Sequence, residues 1–133
     1  MKLSRTVDYA VRATLQLARE PESIPVPCSK LASAGSMPER FLLQILRNLV
    51  THGILRSTRG VDGGYTLVRP IGEISLLEII EAIEGPMQDS PLRSLEQDES
   101  QERLFEAIRQ VTDLAREQLS AVKLSQLLTP PVD

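Results

Sequence analysis

Apolar residues recur at spacings of three and four in several stretches of the chain, and each stretch predicts a helix. Val7, Ala10, Val11, Leu15 and Ala18 fall on one face of a helix over residues 4–19, with Arg5, Asp8, Arg12, Gln16 and Arg19 mostly off it. Pro21 ends that helix, and Pro21, Pro25 and Pro27 hold the next stretch extended or turned. A short helix follows over residues 29–34, stopped by Gly35. Ser36 and Glu39 have the spacing of a capping box, and Pro38 is tolerated in a first turn because its missing N–H would have no intrahelical acceptor. The helix they start is expected over Met37 to Thr51, with Phe41, Leu42, Ile45, Leu46 and Leu49 inward and Gly53 closing it.

The period then shortens. Residues 54–57 and 65–68 read as two strands, separated by Thr58-Arg59-Gly60-Val61-Asp62-Gly63-Gly64. A basic loop so rich in glycine permits close approach to another surface. Helical spacing resumes over residues 75–84. Ser75 and Glu78 form a second capping box, and Ile74 and Ile79 form a hydrophobic staple. Leu76, Ile79, Ile80 and Ile83 supply the expected buried side. Residues 86–98 are polar and read as a linker. From residue 99 to 128 a last helix is expected, its stripe traced by Leu104, Ile108, Val111, Ala115, Leu119 and Val122 and widened by Phe105 and Leu114. Residues 129–133 carry two prolines and read as a frayed tail.

A short helix, a tight turn, a second helix and a two-stranded basic wing predict a mainly α fold with a small β-wing. This is a winged helix-turn-helix over residues 1–85, followed by a long C-terminal dimerisation helix. A stripe this long at the end of a small domain needs an intermolecular partner, most simply a second copy. At 133 residues the chain suits one domain with a sizeable core.

Charge sharpens the picture. The whole chain carries −3, yet residues 1–70 hold ten Lys or Arg against five Asp or Glu, a balance of +5. Residues 71–133 hold five against thirteen, a balance of −8. A basic N-terminal half suits a nucleic-acid face segregated from an acidic oligomerisation or solvent face. Arg40, Gln44, Arg47 and Asn48 lie off the apolar side of the second helix, where they read double-stranded DNA or simply form its wet face. Arg59 on the glycine-rich loop suits a backbone or minor-groove contact. Arg56 faces either DNA or a neighbouring carboxylate. Ser4 and Arg5 stand where a helix start favours phosphate.

The single cysteine, Cys28, permits no intrachain disulfide. It reads as structural, with a redox role open if the start of the short helix lowers its thiol pKa. His52 reads as a helix-end residue without companion ligands, so no metal site is expected. Cys28 and His52 have no supporting pattern for catalysis, and Gly60 to Gly64 is not a phosphate loop because no Lys-Ser or Lys-Thr follows. No signal peptide and no apolar run of membrane length appear, so the chain reads as cytoplasmic.

The ordered strings Leu3-Ser4, Asp8-Tyr9-Ala10, Leu31-Ala32, Met37-Pro38-Glu39-Arg40-Phe41-Leu42 and Ile45-Leu46-Arg47 carry a resemblance. It continues through Gly53-Ile54-Leu55, Arg59-Gly60, Gly63-Gly64-Tyr65-Thr66-Leu67, Arg69-Pro70, Ile74-Ser75 and Ile79 to Pro86. The chain closely resembles the Rrf-type family of bacterial winged-helix regulators over about its first two-thirds. The resemblance implies a homodimer on a partly palindromic operator, usually as a repressor. The helix around Arg40 to Asn48 would enter the major groove and the wing from Arg59 to Gly64 would reach the minor groove. Some members place a base-selecting glutamate where this chain has Leu43, so Leu43 either packs or touches a thymine methyl. Gly63 and Gly64 suit structural roles better than contacts.

Cluster-binding members carry three cysteines in the segment matching residues 86–103. Here that segment has neither cysteine nor histidine. Iron-sulfur ligation needs soft thiolates or imidazole, so no cofactor is expected. The effector, small molecule or protein, is unspecified; space between the wing domain and the long helix could hold a ligand. An alternative reading is a protein-interaction or heterodimerising adaptor with a weak DNA face.

Overall fold

A computed structural model describes residues 3–21, 23–87 and 98–128. The chain runs α1 (Arg5–Arg19), α2 (Cys28–Gly35), α3 (Glu39–Thr51), β1 (Leu55–Thr58), β2 (Gly64–Leu67), α4 (Leu76–Glu84) and α5 (Glu99–Ala121). Short 3-10 turns at Ile71–Glu73 and Leu124–Gln126 flank α4 and close α5. It is mainly helical with one antiparallel hairpin. The expected linker is described only at Pro86, Met87 and Asp98, and the expected tail lies outside the described residues.

α1 packs on α3 and α4, and α2 packs on α3. Leu31, Leu42, Ile45, Leu46, Leu49, Ile54 and Ile79 fill the space between them. Each such side chain contributes about 1.5–3 kcal/mol on burial. The buried face of α1 is rotated from the one expected. Val7, Ala10, Ala13, Thr14 and Leu17 are buried, and Val11, Leu15 and Ala18 only partly so. Thr14 takes a core place because its hydroxyl donates to the Ala10 carbonyl at 2.7 Å, which removes the cost of burying it.

The turn between α2 and α3 also differs from expectation. Ser36 does not cap α3. It adopts the left-handed conformation, φ 53°, and ends α2. The Met37 N–H donates to the Ala32 carbonyl and the Ser36 N–H to the Ser33 carbonyl, the paired bonds of a Schellman motif. Met37 is buried beneath it. α3 therefore begins at Glu39, with Pro38 ahead of it and no side-chain cap.

The strands sit one residue from their expected bounds. Leu55 pairs with Leu67 and Thr58 with Gly64. Val26 adds a short third edge, exchanging backbone bonds with Tyr65 at 2.9 and 3.0 Å. The Ser75–Glu78 capping box forms as predicted, and Ile74 and Ile79 are both buried in the core. On α4 the buried residues are Leu77, Ile79, Ile80 and Ala82, whereas Leu76 and Ile83 are partly exposed.

α5 is shorter than its stripe predicts. It ends at Ala121, and the chain turns back onto α4. The Val122 carbonyl accepts from the Leu76 N–H at 2.8 Å, and the Leu124 N–H donates to the Ile74 carbonyl at 2.9 Å. These bonds satisfy backbone groups at the start of α4 that have no intrahelical partner, and Leu124 is fully buried. Tertiary pairing thus overrides the helical period from Val122 onward.

Candidate nucleic-acid interface

α3 is anchored by Leu42, Ile45, Leu46 and Leu49, so helical geometry sends Arg40, Gln44 and Arg47 to the opposite side. All three are exposed. Leu43 and Asn48 are half-buried on opposite flanks. The Gln44 side-chain amide donates to Asn48 Oδ1 at 3.3 Å. Ser4 caps α1, its Oγ accepting from the Val7 N–H at 3.2 Å, and Arg5 stands exposed one residue on. His52 sits at the end of α3 with Nδ1 2.9 Å from the Asn48 carbonyl.

The wing explains its glycines. A Cβ on Gly63 would lie 2.1 Å from the Thr58 carbonyl oxygen, and one on Gly64 would lie 2.3 Å from the Val26 carbonyl carbon. Only glycine lets the hairpin close on itself and on Val26. Gly60, by contrast, has open space around it but a φ of +112°. Arg56 and Arg59 project from the hairpin, exposed.

Ion pairing separates the arginines into two groups. Arg12, Arg69, Arg103, Arg109 and Arg116 each hold a carboxylate, at Asp8, Glu78, Glu99, Glu106 and Glu81. Among the described residues, no carboxylate pairs with Arg5, Arg40, Arg47, Arg56 or Arg59. The alternative of a carboxylate partner for Arg56 is therefore not realised here. Arg5, Arg40, Arg47, Arg56 and Arg59 lie at the start of α1, on the outer side of α3 and on the wing.

Phe41 departs from expectation. It is 43% exposed instead of facing the core. Its ring meets Tyr9 edge-on, centroids 5.8 Å apart at 83°. Tyr9 lies under the Arg12 guanidinium at 5.4 Å. Sequence reasoning placed neither Tyr9 nor Arg12 near α3. The scarcity of aromatics was the only available signal for the Tyr9–Phe41 contact, because the pairing spans two helices.

Cys28 begins α2, with Sγ 3.7 Å from the Glu39 carbonyl oxygen. Burial pushes its thiol pKa up and the Glu39 charge pushes it further. The helix start does not produce the lowered value that a reactive thiol needs.

The predicted α5 stripe divides. Leu104 and Val111 are exposed, whereas Phe105, Ile108, Ala115 and Leu119 are half-buried, on a helix that packs against α4. Val122 lies past the helix, in the return to α4. A cleft of about 360 Å³ opens elsewhere, between the end of α1 at Leu17 and Ala18 and the β2 flank at Leu67 and Val68. No helix among the described residues is long and apolar enough to cross a membrane.

The family model Rrf2, described as iron-dependent transcriptional regulator, matches residues 3–130. A relative in Mycobacterium tuberculosis H37Rv, described as an HTH-type transcriptional regulator, is 44% identical over 87 residues. That alignment takes in 65% of this chain and 54% of the relative, so the chain spans about half the length of such relatives. The HTH-type transcriptional regulator CymR of Bacillus subtilis is 30% identical over 127 residues, 96% of this chain and 89% of CymR. The structure of CymR, named there as the global cysteine regulator of B. subtilis, superposes with a TM-score of 0.75 at 29% identity, covering 96% of each chain. The structure of T. potens IscR superposes at 0.71 with 26% identity, covering 96% of this chain and 86% of that one. The iron of the family description does not fit this donor set. The sequence has one cysteine and one histidine, and Cys28 is packed at the α2–α3 junction. Among the described residues no three His, Cys, Asp or Glu gather as a metal site would require.

Proposed function

The chain belongs to the Rrf2 family of DNA-binding transcriptional regulators, and on that premise we propose that it works as a homodimeric repressor reading a partly palindromic operator. α3 enters the major groove and the wing reaches the minor groove. The observation that carries this reading is the set of arginines without carboxylate partners: Arg5, Arg40, Arg47, Arg56 and Arg59. Arg12, Arg69, Arg103, Arg109 and Arg116 are neutralised by carboxylates, whereas these five stand open to phosphate.

The homodimer rests on α5. Leu104, Ala107, Val111, Leu114, Gln118 and Ala121 repeat at intervals of three and four, and every one is exposed. That is a heptad seam, which buries its apolar atoms against a second helix. A palindromic operator requires the two α3 helices of such a dimer to stand about 34 Å apart, one turn of duplex. An effector, small molecule or protein, would act on this dimer.

Footprinting upstream of the protein's own gene at two salt concentrations tests the reading. A near-palindromic protected site that survives the higher salt supports it. A folded dimer that protects no site, and prefers none in a pool of random duplexes, counts against it and favours a protein-interaction adaptor.

A further inference from the structure

Phe41 is a large apolar side chain held in the open, in the first turn of the helix whose outer face carries Arg40, Gln44 and Arg47. Recognition helices touch base edges with their N-terminal residues. The ring is not loose. Tyr9 meets it edge-on, Arg12 covers Tyr9, and Arg12 is itself held by Asp8 at 2.8 Å and by the Gly35 carbonyl at 3.1 Å. One brace thus spans α1, the end of α2 and the start of α3.

A phenylalanine ring has no donor or acceptor to offer a base edge. Of the groups the major groove displays, only the C5 methyl of thymine complements it. Phe41, Gln44 and Asn48 lie at i, i+3 and i+7, which places them on one flank of α3. The bond to Asn48 uses one amide hydrogen of Gln44 and leaves its Oε1 and its second amide hydrogen, the acceptor and donor that adenine N6 and N7 would satisfy. The neighbouring apolar contact then falls on a methyl group in an A·T-rich part of the site.

We infer that Phe41 is a specificity-determining residue that reads a thymine methyl, with Tyr9 positioning its ring. This rests on the DNA-binding reading above. The test is selection of duplexes from a random-sequence pool by the wild-type protein. Each thymine of the selected site is then replaced in turn by deoxyuridine, which removes the methyl alone. One thymine per half-site should matter, its replacement weakening wild-type binding about fourfold, the effect of one buried methyl-sized group. The same replacement should leave Phe41→Ala binding unchanged, with Phe41→Leu intermediate and the salt dependence of all three alike. The inference is overturned if no deoxyuridine affects the wild type, or if each affects wild type and Phe41→Ala equally. The scan on the wild-type protein decides the matter even if Phe41→Ala folds poorly. If the wild type selects no sequence at all, the operator reading falls and this inference with it.

Discussion

Arg116 Nη1 lies 2.6 Å from Glu81 Oε2, and the same carboxylate oxygen accepts from the Met87 N–H at 2.9 Å. One side chain on α4 therefore holds both α5 and the chain leaving α4. Arg116→Ala and Glu81→Gln should each lower stability by about 1 kcal/mol, the upper range for a partly exposed pair. The double variant should cost little more than either alone, as residues sharing one interaction do. Urea unfolding of the three variants checks this.

The α4 cap should make stability depend on acid. Burial raises the Glu78 pKa, but the Ser75 N–H and the Arg69 guanidinium outweigh it, and the net value lies below the ordinary 4.5. A lowered folded pKa contributes stability that is full above the unfolded value and is lost as pH falls through the folded one. Thermal melts of wild type and Glu78→Gln should differ at pH 7 and converge as the pH falls below 4.5 and through the lowered folded value. Ser75→Ala should cost about 1 kcal/mol at neutral pH.

Gly64→Ala should damage the fold more than Gly60→Ala. Both glycines have positive φ, and strain of that kind costs about 1–3 kcal/mol. Only Gly64 would also drive a methyl into the backbone at Val26 and Pro27. Calorimetric melting of the two variants orders them; a more damaging Gly60→Ala would refute the close approach at Val26.

Val111→Glu and Leu114→Glu place charge on the exposed α5 seam, at residues 69% and 58% exposed. Neither should change the monomer fold, since neither is in the core. Sedimentation should show the wild type as a dimer and the double variant shifted to monomer. A wild-type monomer at micromolar concentration would remove the proposed interface.

Arg59→Ala should weaken binding to all duplexes and lower the salt slope by about one. Gln44→Ala should instead erode preference among sequences and leave that slope alone. Titrations on selected and random duplexes at several salt concentrations separate the two effects.

The sequence made the order of elements plain because each helix carries a strong period and α4 carries its own cap. It concealed what depends on contacts between elements. Thr14 looked polar and was excluded from the buried face, although its own helix satisfies its hydroxyl. Ser36 had the spacing of a cap, but the left-handed turn it adopts closes the preceding helix. Val122 continued the α5 period, yet the backbone bonds of Val122 with Leu76 and of Leu124 with Ile74 draw the chain away. At the candidate interface, Arg40, Gln44, Arg47 and Arg59 were legible as the polar side of an amphipathic helix and a basic loop. Phe41 was assigned inward because an apolar letter beside Leu42 fits the core equally well. The brace from Tyr9 links residues thirty-two apart, which no local pattern encodes.

The return of the chain at Leu124 has a mechanical consequence. α5 is secured at its C-terminal end by Leu124 and again, eight residues earlier, by Arg116. α5 ends at Ala121, three residues before Leu124, and is about 34 Å long. The first residue of α5 lies 17 residues before Arg116, about 25 Å along the helix axis. A tilt of 5° at Arg116 would carry the start of α5 through about 2 Å, so in the proposed dimer the angle set at Leu124 and Arg116 would govern how far apart two copies hold their DNA-facing helices.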